Sequence, residues 1–292
     1  MRSSFPIGVV YHNPERIYMA FWGDQFTQDR TYVLGLFNSA DMTAIVRLYM
    51  SDPEGFIVAA DGLKTHSENP DFNILNSQKI FRIDGMGKQL AYSSTGTIQL
   101  TPDNSEQVVF DFSVEAMAAA RKLYYRRYKD LRRYAIAFSE LINLHLARIK
   151  SDKMIEKYPS SRLPTDSDAA SIITESFVDG FYDGQPSRVA IQFRHDNQQL
   201  LEPKITDESS APGSLIVQGP TIPSLGVLVS SPRRSLSEVV QAAKRYIESC
   251  SEPESIAIAP KECALIGGHV HAATITRREG FQWAIPPIGE QS

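Results

Sequence analysis

Three side chains with complementary chemistry follow one another at even spacing in the first third of the chain. Thr43 opens the apolar run 44–46, Asp61 closes the apolar run 57–60, and Lys79 begins the next run. Thr43 and Asp61 are 18 residues apart, as are Asp61 and Lys79. A hydroxyl is a weak nucleophile until a base and a cation lie beside it. The set therefore indicates a threonine nucleophile supported by a lysine and a carboxylate, which is chemistry suited to hydrolysing an amide.

Short strands must position these residues. Residues 44–49 and 56–60 are rich in β-forming side chains, and a Pro/Gly-containing turn at 51–55 joins them into a predicted hairpin. A second predicted pair, 79–83 and 89–93, turns at 84–87. The candidate residues thus fall on three successive strands.

The rest of the chain alternates predicted helices with predicted strand pairs. In the longest helix, Leu131, Tyr134, Phe138 and Ile142 recur at helical spacing and predict one apolar face. A capping box, Ser235 with Glu238, predicts the start of a later helix. Helices are predicted at 114–125 and 129–150, and strands at 188–193, 270–276 and 281–285. A Pro/Ser/Asp-rich loop is predicted at 158–168. This order predicts an α+β fold of two stacked antiparallel sheets with helices outside.

Composition excludes several functional classes. The chain has 292 residues, 42% of them hydrophobic, and a net charge of −4, which gives no basic footprint for nucleic acid. No apolar stretch approaches the roughly 18 residues of a membrane span. Cys250 and Cys263 cannot make a disulfide framework, so a cytoplasmic location is expected. His269 and His271 share a strand face without a nearby carboxylate or cysteine, and no metal or cofactor is predicted.

The order of these motifs resembles a known family, the proteasome β-subunits and the bacterial HslV peptidase. Met42-Thr43 is similar to their Thr-initiated first strand, Asp61-Gly62 to their second, and Lys79-Ile80-Phe81 to their third. Residues 178–186 resemble their Gly/Asp-rich turn before a strand, and residues 266–276 their closing Gly-Gly strand. The resemblance runs from about Thr43 to Pro287.

The resemblance implies an N-terminal nucleophile hydrolase with a four-layer α-β-β-α sandwich. Thr43 would be the nucleophile, Lys79 would stabilise its alkoxide, Asp61 would hold Lys79, and the backbone N–H of Ser93 would bind the oxyanion. An α-amino group titrates near 7.7–8.0, so an N-terminal threonine carries its own base. The implied activity is that of a threonine-type peptidase acting on unfolded polypeptide inside a homo-oligomeric ring, with an ATP-dependent unfoldase as a further partner. Neither nucleic acid nor a membrane is an expected partner.

Thr43 is internal in the sequence, so its amine must be freed. Residues 1–41 are interpreted as an N-terminal extension or propeptide, or as the product of a start assigned too far upstream, and residues 42–292 as one domain. Met42 stands where HslV-type chains have their initiator methionine.

Some positions depart from the family pattern. Cys263 and Ile266 align with a supporting Asp and Ser of the family, and Gly219 is the nearest match to a further serine. Two other functions therefore stay open. One is a catalytically inactive structural subunit that keeps residues 1–41, and the other is an acylase for small amides on the same fold.

Overall fold

The computed structural model describes residues 7–13, 16–21, 32–36, 43–64, 74–96, 99–100, 108–151, 171–196, 199–230 and 235–289. The strands in chain order are β1 (Ile7–Asn13), β2 (Arg16–Phe21), β3 (Tyr32–Leu36), β4 (Ile45–Ser51), β5 (Glu54–Ala60), β6 (Ile80–Gly85), β7 (Lys88–Gly96), β8 (Gln99–Leu100), β9 (Phe110–Asp111), β10 (Ser171–Tyr182), β11 (Gln185–Asp196), β12 (Gln199–Leu200), β13 (Lys204–Asp207), β14 (Leu215–Gln218), β15 (His271–Thr276) and β16 (Gly280–Ile285). The helices are α1 (Phe112–Lys122), α2 (Leu131–Ser151), α3 (Pro223–Ser230), α4 (Leu236–Glu248), α5 (Pro253–Ile258) and α6 (Pro260–Cys263). The chain divides into two compact units, residues 1–80 with 209–292 and residues 81–208.

The first unit contains an eight-stranded sheet in the order β1-β2-β3-β14-β4-β5-β15-β16. Neighbouring strands are antiparallel except β3 and β14, which pair in parallel. In the central hairpin, Ile45 lies opposite Ala60 and Val46 opposite Ala59. This register sets the two open ends of the hairpin, residues 43–44 and 61, side by side.

Helix α4 packs against β4 and β5 and covers one face of that hairpin. Ser235 caps the start of this helix at the predicted position, because its side chain accepts a hydrogen bond from the Glu238 N–H at 3.2 Å. One stripe of the helix is buried, and burial of each large apolar side chain contributes about 1.5–3 kcal/mol. The stripe consists of Val239, Val240, Ala243, Tyr246 and Ile247. It holds the hairpin that carries Thr43 and Asp61 at its open end.

The second unit is built on a six-stranded antiparallel sheet in the order β12-β11-β10-β7-β6, with β13 pairing with β11. Helices α1 and α2 lie against each other, and α2 contacts β11 and β13. The core between helices and sheet contains aromatic side chains from both, among them Tyr92, Tyr134, Phe138 and Phe193. A separate two-stranded sheet pairs β8 with β9.

The coarse fold prediction is confirmed, since the chain is a mixed α/β protein with two large, mainly antiparallel sheets and a few helices. The predicted long helices correspond to α1 and α2, and the predicted closing hairpin to β15 and β16. No helix in the described ranges is both long and apolar enough to cross a membrane. The predicted loop at 158–168 lies outside the described residues.

The structure contains strands in residues 1–41 that the sequence does not predict. No sustained period of 2 or 3.6 is present there, yet the segment includes β1, β2 and β3. Strand β3 joins the main sheet by pairing Leu34 with Leu215 and Gly35 with Ile216 of β14. Strand β14 was also missed. Its four residues are all buried and therefore show no alternation of apolar and polar side chains.

Candidate functional site

Thr43, Asp61 and Lys79 lie at strand ends in the first unit, and the structure brings their side chains together. Thr43 stands just before β4, Asp61 follows β5 directly, and Lys79 precedes β6. The Asp61 N–H donates to the Ala44 carbonyl at 3.1 Å, which continues the β4–β5 ladder one step beyond the named strands. Thr43 is 6% exposed, Asp61 0% and Lys79 1%. The hairpin register therefore places the hydroxyl and the carboxylate at one buried sheet end.

The Lys79 ammonium group bridges the other two side chains. Its Nζ donates to Asp61 Oδ1 at 2.9 Å and to Thr43 Oγ1 at 3.2 Å. A lysine can donate three hydrogen bonds and accept none, so the threonine oxygen is the acceptor here. This arrangement leaves the lone pairs of Oγ1 facing a positive charge, which favours a developing alkoxide.

Asp61 is held by donors on both carboxylate oxygens. Besides Lys79, the N–H of Ala44 donates to Oδ1 at 3.0 Å, and the N–H groups of Leu63 and Gly267 donate to Oδ2 at 3.1 and 3.3 Å. A buried carboxylate is costly unless such partners satisfy it. The backbone around Asp61 thus fixes its orientation and aims one oxygen at Lys79.

Burial and ion pairing shift the pKa values of Asp61 and Lys79 in opposite directions. Burial raises the pKa of Asp61, and the charge of Lys79 and the N–H groups of Gly267 and Leu63 oppose that rise. Burial lowers the pKa of Lys79, and Asp61 opposes that fall. Desolvation therefore brings the two groups closer in proton affinity than they are in water. The ammonium of Lys79 depends on the neighbouring carboxylate to remain charged.

His271 belongs to this site, although the sequence suggests for it only the role of a candidate metal ligand. Its Nε2 accepts a hydrogen bond from the backbone N–H of Lys79 at 2.9 Å. The ring is 1% exposed and stands at a steep angle to the ring of Trp283, with centroids 6.2 Å apart. Burial, only partly opposed by a hydrogen bond to the backbone of His269, is the main reason that the pKa of His271 is lowered to about 4, and the charge of Lys79 acts in the same direction as burial. His271 is therefore neutral at pH 7.

No local feature of the sequence predicts this role for His271. It is 192 residues from Lys79 along the chain, and it contacts the backbone of Lys79 rather than its side chain. The neighbouring His269 bonds through Nε2 to the carbonyl of Pro286 at 2.8 Å. Within the described ranges, no three His, Cys, Asp or Glu side chains are grouped as metal ligands would be.

The positions that depart from the resembled family are apolar or closely packed. Gly219 has a φ of +146°, and a Cβ on it would lie 2.5 Å from the Tyr246 hydroxyl, so this backbone has no room for a serine. The Tyr246 hydroxyl donates to the carbonyl of Pro220 at 2.9 Å. Cys263 and Ile266 are both buried in the apolar core of the first unit. The site therefore has neither of the polar side chains that the family would place at these two positions.

Ser93 lies in the second unit, on β7 opposite Phe177 of β10. Its side chain is fully buried, and among the described residues its hydroxyl has no hydrogen-bond partner. The role expected for Ser93 belongs to its backbone N–H, and this role stays a prediction.

No protein-family model matches this chain, and a search of curated proteins finds no significant match. The buried cluster of Thr43, Asp61, Lys79 and His271 is therefore the main indication of function.

Proposed function

We propose that this protein is a threonine-type amide hydrolase that cleaves peptide bonds with Thr43 as its N-terminal nucleophile. The observation that carries the proposal is the position of the Lys79 ammonium, which donates at once to Thr43 Oγ1 and to the buried Asp61 carboxylate. A lysine inside a protein usually extends its ammonium to water. Here it is 1% exposed and is directed at a hydroxyl, an arrangement with a clear catalytic use.

The proposed reaction has two halves. The free α-amine of Thr43 takes the hydroxyl proton, Oγ1 attacks the substrate carbonyl carbon, and the C–N bond breaks as the leaving amine receives that proton. Water then attacks the resulting ester, which releases the acid and regenerates the hydroxyl. Lys79 stabilises the alkoxide before attack, and Asp61 keeps Lys79 charged. One donor to a developing oxyanion is worth about 10²- to 10³-fold in rate.

Release of the amine is part of the proposal. The base required is an amine with a pKa near 7.7–8.0, and an internal threonine has an unreactive amide there instead. The chain must therefore be cut ahead of Thr43, or its synthesis must begin at Met42 with loss of that methionine. Residues 1–41 are a propeptide in the first case and a start assigned too far upstream in the second.

The finer fold and the assembly belong to the same proposal. A four-layer α-β-β-α sandwich is supported by the fact that each unit contains one large sheet with helices packed on a face of it. The resemblance to proteasome-type subunits supports a homo-oligomeric ring that admits unfolded polypeptide, with an ATP-dependent unfoldase delivering it. Both cysteines are free thiols, which suits a cytoplasmic location.

The deciding experiment is intact-mass measurement and N-terminal sequencing of protein purified from its native host, combined with hydrolysis of unstructured peptides. We expect a chain that begins Thr43-Ala44-Ile45-Val46 and an ester-linked mass adduct with a slow substrate, present in this chain and absent from the Thr43→Ala variant. A processed chain with a free Thr43 that hydrolyses no amide would refute the proposal.

An inactive structural subunit is the second candidate, and two observations favour it. Thr43 is only 6% exposed, and the upstream strands β1–β3 are part of the same sheet as β4. A purified chain that retains residues 1–41 in its working assembly would establish this alternative. Hydrolysis of small amides without hydrolysis of peptides would instead identify an acylase.

A further inference from the structure

His271 holds the main chain of Lys79 at the point where that lysine enters the site. The His271 Nε2 accepts the Lys79 N–H at 2.9 Å, and His271 stands opposite Ala60 of β5, next to Asp61 in the chain. Strand β15 thus lies beside the strand that presents the carboxylate and also contacts the backbone that presents the ammonium. One imidazole therefore links the two elements that carry the ion pair.

We propose that His271 is a positioning residue, which as a neutral imidazole fixes the backbone of Lys79 so that Nζ reaches both Thr43 and Asp61. Its catalytic consequence rests on the proposed function, whereas its effect on Lys79 does not. A side chain on a free loop samples many rotamers, and misplacement of a catalytic group by 1 Å can cost about 10²-fold in rate. Lys79 precedes β6 rather than lying inside it, so the strand ladder alone does not anchor its N–H.

The hydrogen-bonding pattern requires one tautomer. Because Nε2 accepts from the Lys79 N–H, the ring proton must be on Nδ1. A hydrogen bond between the ring and the backbone of His269 satisfies this proton. The charged or titratable groups that face the ring are the Lys79 ammonium, with Asp61 beyond it, and the imidazole of His269. The aromatic ring of Trp283 also packs beside it.

Protonation of His271 would abolish its ability to hold the backbone of Lys79. An imidazolium has an N–H at both nitrogens, so Nε2 would present a proton to the N–H of Lys79 in place of a lone pair. It would also add a second positive charge beside the ammonium of Lys79. The site is therefore set for catalysis only while His271 is neutral.

The test compares three variants with the unmodified protein, each expressed as the full chain and assayed in the form that begins at Thr43. His271→Gln keeps an acceptor oxygen near the position of Nε2, His271→Met keeps the volume but has no acceptor for this N–H, and His269→Gln is the control on the neighbouring ring. We expect kcat to fall about 10- to 100-fold in His271→Met with little change in KM, because a positioning group acts on the reacting geometry. His271→Gln should recover most of that loss, and His269→Gln should stay near the unmodified level.

Two NMR measurements make this test independent of peptidase activity. In the unmodified protein, the imidazole nitrogens of His271 should show a protonated Nδ1 and an unprotonated Nε2 at pH 7. The ε-carbon of Lys79, labelled with ¹³C, should titrate alike in the unmodified and His271→Gln proteins and differently in His271→Met. A protonated Nε2 at pH 7, or identical Lys79 titrations in all three proteins, would overturn the proposal.

The outcomes separate the two claims. If the unmodified protein hydrolyses no amide but the NMR results are as expected, the proposed function fails and the positioning role stands. If His271→Gln loses as much activity as His271→Met, the ring acts through its packing and the positioning role fails. If His271→Met does not fold, the His271→Gln kinetics and the tautomer of the unmodified protein still decide the question.

Discussion

At the level of single residues, the site depends on one ammonium shared between a hydroxyl and a carboxylate. All three groups are at most 6% exposed, so solvent does little to screen them. Removing one partner of a buried pair leaves an uncompensated charge, which costs about 3–5 kcal/mol. Changes at Lys79 therefore affect both stability and chemistry, whereas changes at Thr43 leave the Lys79–Asp61 pair in place and affect mainly chemistry.

Thr43→Ala should abolish peptide hydrolysis without unfolding the protein. The change removes the nucleophilic oxygen and one acceptor of Lys79, whose bond to Asp61 at 2.9 Å remains. Turnover by the purified variant and its circular dichroism spectrum measure the two effects. Thr43→Ser, which keeps a hydroxyl, is the matched control and should retain measurable turnover. A folded Thr43→Ala protein with undiminished activity would remove Thr43 from the mechanism.

Lys79→Ala should reduce turnover at least 10²-fold and destabilise the first unit by about 3–5 kcal/mol, because Asp61 is left buried without its cation. Steady-state kinetics and urea unfolding measure these effects. Lys244→Ala is the control, since Lys244 is 39% exposed and pairs with Glu248 on the surface of α4. Near-normal turnover in Lys79→Ala would show that the assignment of the three residues is wrong.

At the level of secondary-structure elements, the β4–β5 hairpin presents the chemistry and helix α4 supports it. The helix packs on both strands, and the Ser235 side chain caps its first turn. Loss of the cap should therefore loosen the layer beneath the hairpin without touching any group of the site.

Ser235→Ala should destabilise the first unit by about 1 kcal/mol, the usual cost of losing a Ser cap. The N–H of Glu238, which donates to Ser235 Oγ at 3.2 Å, would lose that acceptor. Ser237→Ala is the control, because this exposed serine lies inside the first turn and does not cap it. The midpoint of urea unfolding should shift in the first variant only. Equal shifts would exclude the capping role.

How far the sequence predicts this structure depends on whether a feature is local. Thr43, Asp61 and Lys79 could be chosen because each borders an apolar run, and the hairpin register then brings their ends together. His271 could not be predicted in this way. Its partner is a backbone N–H 192 residues away, and every residue type except proline has such a group. The four-residue strand β14 was missed because its pairing partners, β3 and β4, lie far from it in sequence.

At the level of the whole molecule, the buried neutral His271 links folding to pH. Its pKa is lowered from 6.5 to about 4 in the folded protein, mainly by burial. Between these values the unfolded chain binds a proton that the folded chain does not bind. The free energy of unfolding therefore gains a contribution that is fully present above pH 6.5 and is lost as the pH falls toward 4.

The stability of the unmodified protein should accordingly fall by about 3 kcal/mol more than that of His271→Gln between pH 7 and pH 4, since one pKa unit corresponds to 1.36 kcal/mol. Urea unfolding at several pH values measures this difference. Because Asp61 and Lys79 are present in both proteins, the comparison isolates the histidine. Parallel pH profiles would contradict the lowered pKa of His271.

Because strands β1–β3 are part of the main sheet, cleavage ahead of Thr43 and release of the upstream segment would be two separate events. Strand β3 is hydrogen-bonded to β14, and β14 lies between it and β4. A cut just ahead of Thr43 would break one covalent bond and leave the β3–β14 ladder intact. The product would be a nicked, two-chain particle that a denaturing gel resolves and a sizing column does not. Its free amine would appear at the rate of bond cleavage, whereas the upstream piece would leave at the rate of its own dissociation.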